Sequence, residues 1–100
     1  MATSAQAEVT IYTTGYCGYC HAAKRLLQQR GVDYREIAVD QRPDLRRWLV
    51  EASRQRTVPQ IFINGESVGG YTELAGLDRS GRLQERLSAP APAGSAQLPT

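Results

Sequence analysis

The chain has 100 residues, of which 41% are hydrophobic and 22% are charged, and its formal net charge is +2 at pH 7. This length fits one domain, and the composition is that of an ordinary globular protein. No apolar run approaches the ~20 residues that span a bilayer, and MATSAQAE at the start lacks the basic and apolar regions of a secretory signal, so we expect a cytoplasmic protein without membrane contact.

The first predicted elements are a strand and a helix that follow each other closely. Residues 8–14, EVTIYTT, alternate apolar and polar side chains and are rich in β-branched residues, which is typical of a strand. From Gly18 onward apolar residues recur at helical spacing, and Gly31 is placed to end the helix. This pattern puts Cys17 at the N-terminus of the predicted helix.

The two cysteines of the chain, Cys17 and Cys20, lie at this junction in the motif CGYC. A disulfide between them would close too short a loop to stabilise a fold by much. A zinc site needs about four ligands, and His21 is the one histidine of the chain. In a reducing compartment, redox chemistry is the interpretation that remains.

The two thiols are predicted to have different roles. The unpaired N–H groups and the positive end of the helix dipole stabilise a thiolate at Cys17. Cys20 lies one turn further on, on the apolar face, where burial disfavours the anion. We therefore expect Cys17 to attack a disulfide and Cys20 to resolve the resulting mixed disulfide.

The remaining chain is predicted to complete an α/β unit. Residues 33–40 form a second strand, close enough to the first helix for a parallel βαβ crossover, and a second helix begins at Pro43. The apolar run 61–63 predicts a buried strand, and Asn64-Gly65 predicts a hairpin into an antiparallel fourth strand. Leucines between residues 74 and 87 predict one or two closing helices.

Three segments together resemble the glutaredoxin family: CGYC after a strand, QRTVPQIFING, and GGYTELAGLDRSGRL, in that order and at the family's spacing. The resemblance covers residues 8–87 and implies a thioredoxin-like α/β fold, with a four-stranded mixed sheet flanked by helices. We expect 1–7 to be a flexible N-terminus and 88–100 to be a disordered Pro/Ala/Ser tail.

The resemblance also implies an activity and a set of binding residues. The activity is glutathione-dependent reduction of protein–glutathione mixed disulfides and protein disulfides, with Cys17 as nucleophile, in electron transport and cell redox homeostasis. The residues that match glutathione-binding positions of the family are Tyr19, Gln55, Arg56, Thr57, Val58, Pro59, Gly70, Tyr71 and Thr72.

Apart from Tyr19, which stands between the two cysteines, these positions divide into three groups in relatives. The polar pair at Gln55 and Arg56 meets the glycine carboxylate of glutathione, and the segment at Thr57 and Val58 grips its cysteinyl backbone, with a cis proline following. Residues 70–72 match the helix N-terminus that binds the γ-glutamyl end.

The chain departs from the commoner family pattern at three positions. Gly18 stands where most relatives have proline, and this resembles members that hold a [2Fe–2S] cluster between two subunits, with Cys17 and one glutathione as the ligands from each. Thr14 replaces a lysine that in many relatives helps to bind glutathione, and Thr72 replaces an aspartate or serine. A cluster-binding dimer that acts as a cluster carrier or redox sensor is therefore the alternative hypothesis.

Two further expectations concern partners. The sequence also resembles mycoredoxins, so a different low-molecular-weight thiol or a flavin reductase is a third hypothesis for the reductant. The arginines at positions 42, 46, 47 and 54 accompany no nucleic-acid-binding motif, and solvated helix faces account for them. We expect a monomer, or a dimer if a cluster is bound, and no nucleic-acid partner.

Overall fold

The computed structural model describes residues 7–91 and 98–100, which form a four-stranded sheet flanked by four helices. This architecture confirms the predicted order of strands and helices. The elements in chain order are β1 (Val9–Thr13), α1 (Gly18–Gln29), β2 (Arg35–Ala38), α2 (Pro43–Ser53), β3 (Gln60–Ile63), β4 (Glu66–Gly69), α3 (Tyr71–Arg79) and α4 (Arg82–Ser88).

The sheet is mixed, with the strand order β2-β1-β3-β4. β1 pairs in parallel with β2, which places Ile11 opposite Glu36, and antiparallel with β3, which places Ile11 opposite Ile61. The parallel pair is the predicted βαβ crossover around α1. Because β1 is a central strand, the residues that follow its C-terminal end lie near the middle of that edge of the sheet.

Both faces of β1 are buried, so the alternation in its sequence separates two cores rather than core from solvent. Val9 and Ile11 face the α1-side cluster, whose buried members also include Ala23, Leu27, Val32, Ile61, Ile63, Leu74, Leu83 and Leu87. Tyr12 faces the α2-side cluster, whose other buried members are Ile37, Val39, Leu45, Leu49 and Phe62. Full burial of one such side chain contributes about 1.5–3 kcal/mol.

Turn and helix ends follow the local sequence signals. Asn64 and Gly65 both have positive φ, 54° and 82°, as a two-residue hairpin between antiparallel β3 and β4 requires. Gly31, with φ 72°, follows the end of α1, and Pro43 is the first residue of α2. Trp48 is partly buried and packs on the α2-side cluster, with its ring 5.7 Å from that of Phe62.

The predicted terminal segments fall largely on residues 1–6 and 92–97, which lie outside the described residues. Where the tail is described, Ser88 ends α4 and Leu98 packs on the α2-side cluster. The buried Tyr12 hydroxyl donates to the Pro99 carbonyl oxygen at 2.7 Å. Leu98 adds apolar cover to this cluster, to which α2 is the one helix of the described residues that contributes side chains. The division of the chain into a domain and two tails stays a prediction.

None of the helices in the described part of the chain has the length and apolar character needed to cross a membrane. The longest of them, α1, has 12 residues, which corresponds to about 18 Å.

Candidate active site

The loop after β1 carries Cys17 to the N-cap of α1, as the sequence predicted. Its backbone is extended, with φ −141° and ψ 106°, and the backbone N–H of Cys20 donates to the Cys17 sulfur at 3.0 Å. The sulfur therefore accepts the hydrogen bond that a serine or aspartate oxygen accepts at many helix starts. This partly exposed sulfur thus lies against that N–H group and at the positive end of the helix dipole.

The Cys20 side chain is 1% exposed and points into the core, beside Ala23 and Leu27 on the same helix face. Burial, followed by its hydrogen bond to Cys17, raises the pKa of Cys20 to about 12, although a backbone hydrogen bond from Thr14 opposes the shift. Both thiols are free. The structure thus combines a thiol that is open to solvent with one that stays protonated at neutral pH.

The loop between β1 and Cys17 is tied to the end of β2. The backbone N–H of Gly15 donates to Asp40 Oδ2 at 2.8 Å. One turn below the CGYC motif, Lys24 and the Thr13 hydroxyl both donate to Glu36 Oε2, at 2.9 and 2.8 Å. Burial raises the pKa of Glu36, but these two hydrogen bonds outweigh it and hold the pKa below its usual range. Thr14, where many relatives carry lysine, is partly buried.

The segment before β3 lies against the Cys17 sulfur. The Cys17 thiol donates to the Val58 carbonyl oxygen at 3.6 Å, and the Val58–Pro59 peptide bond is cis, as expected. Gln60, which is 0% exposed, donates from Nε2 to Gln55 Oε1 at 2.8 Å and to the Thr57 carbonyl oxygen at 3.0 Å. This side chain holds the segment in place, and it was not among the predicted site residues. A single glutamine inside an apolar run is a signal that could have found it, because buried polar groups need partners.

A cleft of about 360 Å³ opens beside Cys17. Its lining residues come from three separate segments of the chain: Tyr19, Gln55, Thr57, Val58, Pro59, Gly70, Tyr71, Thr72 and Glu73. Eight of these nine are residues that the sequence analysis assigned to glutathione binding, and the structure brings them together. The volume is within the range of small-molecule sites.

The structure does not bring Arg56 to this cleft. Arg56 is exposed and lines a neighbouring groove with residues of α2. Its expected contact with the glycine carboxylate of glutathione therefore stays a prediction, and within the cleft Gln55 is the member of that polar pair.

The far wall of the cleft is the start of α3. Gly70 is its N-cap, and the backbone N–H of Gly70 donates to Glu73 Oε1 at 2.8 Å. Gly69 has a φ of +116°, and a Cβ at that position would lie 2.9 Å from the Glu73 side chain. Glu73 was not a predicted site residue, although glutamate in the first turn after a Gly-Gly pair is a recognisable capping signal.

Two tyrosines form the rim of the cleft. The rings of Tyr19 and Tyr71 stack with their centroids 5.9 Å apart and their planes 28° apart. Tyr19 is 67% exposed, and Tyr16, directly before Cys17, is exposed completely. The stacked pair connects the CGYC motif to α3 across the mouth of the cleft.

Gly18 begins α1 in open space, since a Cβ there would meet no heavy atom within 4 Å. Packing therefore does not require glycine at this position. Within residues 7–91 and 98–100, no group of three or more His, Cys, Asp or Glu side chains is arranged to hold a metal ion.

The comparison with known families agrees with this geometry, because the glutaredoxin family model matches residues 9–68. The chain belongs to the glutaredoxin family. It is 51% identical over 81 residues to a glutaredoxin of Pseudomonas aeruginosa, covering 81% of this chain and 96% of that protein. It is 42% identical over 81 residues to glutaredoxin 3 of Escherichia coli K12, covering 81% and 98% respectively.

Solved glutaredoxin structures share the fold. The buckwheat glutaredoxin–glutathione complex superimposes with a TM-score of 0.77 at 34% identity, covering 82% of this chain and 77% of that one. The solution structure of glutaredoxin from Brucella melitensis superimposes with a TM-score of 0.77 at 38% identity, covering 87% and 95%. The fold is thioredoxin-like, as predicted, and the chain is a glutaredoxin-type thiol–disulfide oxidoreductase.

Proposed function

We propose that this glutaredoxin reduces protein–glutathione mixed disulfides and protein disulfides with glutathione as its reductant, using Cys17 as nucleophile and Cys20 as resolving thiol. The observation that carries the proposal is the cleft beside Cys17, which is lined by eight of the nine residues assigned to glutathione. The buckwheat relative, of the same fold, is described as a glutathione complex.

Each wall of the cleft suits one part of the tripeptide. The Val58 backbone, next to the Cys17 sulfur, can pair with the cysteinyl portion of glutathione as an added strand does. The first helical N–H groups of α3, which follow the Gly70 N-cap, can donate to the γ-glutamyl carboxylate. The Gln55 amide, which also lines the cleft, is the group that we assign to the glycine end.

Reduction of a mixed disulfide needs Cys17 alone. The Cys17 thiolate attacks the glutathione sulfur, an S–S bond forms between them, and the substrate protein leaves as a thiolate that takes a proton from water. The thiolate of a second glutathione attacks the bound glutathione sulfur. This releases oxidised glutathione and restores the Cys17 thiolate, which the α1 N-terminus stabilises.

Reduction of a protein disulfide also needs Cys20. Cys17 attacks one sulfur of the substrate, and Cys20 then attacks the Cys17 sulfur to close a disulfide in the enzyme while the substrate leaves as a dithiol. Part of what keeps Cys20 protonated is its hydrogen bond and charge interaction with Cys17. Both are lost once Cys17 is in a mixed disulfide, so Cys20 ionises more easily at the step that uses it.

The test compares Cys17→Ser and Cys20→Ser in two assays, one with a small glutathione mixed disulfide and one with a protein disulfide. We expect Cys17→Ser to abolish both activities, and Cys20→Ser to keep the first and lose the second. Equal losses in both variants and both assays would refute the division of roles.

Glutathione dependence has its own test. Gln55→Ala should raise the KM for glutathione, whereas Gln84→Ala, an exposed position on α4, is the matched control and should not. Turnover with another low-molecular-weight thiol or a flavin reductase but not with glutathione would instead support the third hypothesis. The cytoplasmic location stays a prediction.

A cluster-binding dimer remains the second candidate function, and the observation that favours it is the open space at Gly18 beside the partly exposed Cys17. A single chain does not fit a cluster, since its described residues contain no group of three candidate ligands. A second chain and glutathione thiols would have to complete the set. Anaerobic purification with glutathione tests the cluster hypothesis. A dimer with visible absorbance, which is lost in Cys17→Ser, would support a bound cluster. A colourless, active monomer would refute it.

A further inference from the structure

Positive charge is concentrated on the segment from Arg42 to Arg56, which comprises α2 and the loop that leads to the active site. The segment contains five arginines and two carboxylates, Asp44 and Glu51, so its formal charge is +3 in a chain whose total is +2. The remaining residues of the chain therefore carry a charge close to zero, and the basic character belongs to this one segment.

Most of these arginines have no acidic partner among the described residues. Arg42 pairs with Asp44 at 3.4 Å. In the described part of the chain, no ion pair is formed by the other four, all of which are exposed: Arg46, Arg47, Arg54 and Arg56. An exposed guanidinium without a carboxylate is free to bind one from another molecule, and its planar fork suits a bidentate contact.

Three of the unpaired arginines share a groove. Arg46, Arg47 and Arg56 line an open depression of about 480 Å³, whose other lining residues are Pro43, Val50 and Glu51. The groove therefore combines three positive charges and one negative charge with the apolar surface of a proline and a valine. A peptide segment with acidic side chains would find both charge partners and apolar contact there.

The groove lies close to the active site, although the two share no lining residue. Arg56 lines the groove and lies two residues before Val58, whose carbonyl oxygen is 3.6 Å from the Cys17 sulfur. Consecutive Cα atoms are about 3.8 Å apart, so the Cα of Arg56 is within about 7.6 Å of the Cα of Val58. A polypeptide whose disulfide reaches Cys17 can place its neighbouring residues over the arginines.

We propose that this basic groove docks protein substrates that carry aspartate or glutamate next to the cysteine under attack, and so sets substrate preference. The proposal rests on the function proposed above. It revises the expectation that solvated helix faces account for the arginines of α2. Long-range attraction between the groove and an acidic segment also steers the encounter, so the effect appears in kcat/KM and falls as salt is added.

The chemistry of the groove favours an acidic polypeptide over a nucleic acid. Single-stranded nucleic acids bind where basic side chains accompany exposed aromatic rings that stack on bases. No aromatic residue of the described part of the chain lines the groove, and the one tryptophan of α2, Trp48, packs on the α2-side cluster instead.

The experiment uses the full chain and two glutathionylated peptides of equal length, with acidic residues flanking the cysteine in one and glutamine in the other. The variant Arg46→Gln/Arg47→Gln removes two charges of the groove. The matched control, Arg79→Gln/Arg82→Gln, removes two exposed arginines that form no ion pair in the described residues, at the junction of α3 and α4. A small glutathione mixed disulfide serves as the third substrate.

We expect the wild type to prefer the acidic peptide at low salt by about threefold to tenfold in kcat/KM, the range of one or two exposed charge pairs. The groove variant should lose this preference, and the control variant should keep it. Turnover of the small disulfide should be unchanged in both variants.

Several outcomes would overturn the proposal. These are equal rates for the two peptides in the wild type, an equal loss of preference in both variants, or a preference that 0.5 M salt leaves intact. The groove would be assigned to nucleic acid if the wild type showed no peptide preference but bound a labelled single-stranded oligonucleotide, and if only the groove variant lost that binding. If the wild type did not turn over the small glutathione mixed disulfide, the proposed function itself would be refuted. If it turned over the small disulfide but showed no peptide preference, only the docking proposal would fail.

Discussion

The contrast between the two thiols of the CGYC motif can be measured by alkylation. The pKa of Cys20 is about 12, raised first by burial and then by Cys17. At pH 7 a thiol with that pKa has a thiolate fraction on the order of 10⁻⁵, whereas an unfolded cysteine with a pKa near 8.5 has about 3%. Because iodoacetamide reacts with the thiolate, ionisation alone predicts that Cys20 reacts about 3,000-fold more slowly in the folded protein than in urea.

The variant Cys17→Ser separates the contributions to this protection. It removes the thiol that is hydrogen-bonded to Cys20 but leaves the burial of Cys20, which is the largest cause of the raised pKa. We therefore expect folded Cys17→Ser to alkylate Cys20 faster than the wild type does, yet still more than about tenfold slower than the same variant in urea.

The assay is timed iodoacetamide labelling at pH 7, quenched and read by mass spectrometry of the peptide that contains both cysteines. The control is Cys20→Ser, whose partly exposed Cys17 should be labelled readily in the folded state. Equal labelling rates of Cys20 in folded and unfolded Cys17→Ser would refute the argument that burial keeps this thiol protonated.

Three further predictions concern stability and are read by urea denaturation. Gly69→Ala should lower the free energy of unfolding by about 1–3 kcal/mol, because its φ of +116° disfavours a side chain and the new Cβ meets the capping glutamate of α3. Gly76→Ala, at a position of α3 where a Cβ meets open space, should raise the free energy of unfolding by up to about 1 kcal/mol. Equal changes in stability in the two glycine variants would contradict this reasoning. Tyr12→Phe should lower the free energy of unfolding by about 0.5–1.5 kcal/mol, because it removes the hydrogen bond to the Pro99 carbonyl oxygen. The same substitution should have no effect in a chain that ends at residue 91, and an equal loss in the full and the shortened chain would contradict the contact. Folding lowers the pKa of Glu36, so the ionised carboxylate stabilises the folded state. This stabilisation is fully present above the unfolded pKa of about 4.3 and is lost as the pH falls through the folded pKa. Glu36→Gln should therefore lower the free energy of unfolding by under about 1 kcal/mol at pH 7 and by less at pH 3.

Local signals in the sequence predicted most of the fold. Gly31, Pro43 and the Asn64-Gly65 pair each act within one turn of chain, through the φ values that glycine and asparagine tolerate and the first helical position that proline suits. The placement of Cys17 at a helix start was predictable for the same reason, because a strand and a helix of clear periodicity flank it. Resemblance to the glutaredoxin family then supplied the residues of the cleft.

Other features depend on parts of the chain that are far apart in sequence. The burial of Thr10 and Tyr12 follows from the central position of β1, which no property of the strand itself reveals. The role of Gln60 follows from the path of the loop before β3, and Arg56 lines the groove beside α2 instead of the cleft.

The sequence by itself determined the secondary structure, the fold family and the position of the reactive thiol, because these depend on short-range backbone preferences and on a motif that is contiguous in the chain. The tertiary structure alone decided which side chains share the cleft, which share the basic groove, and how completely Cys20 is shielded from water. Those properties arise from packing between segments tens of residues apart, and burial, hydrogen bonding and charge at such contacts are set by the neighbours that folding brings together.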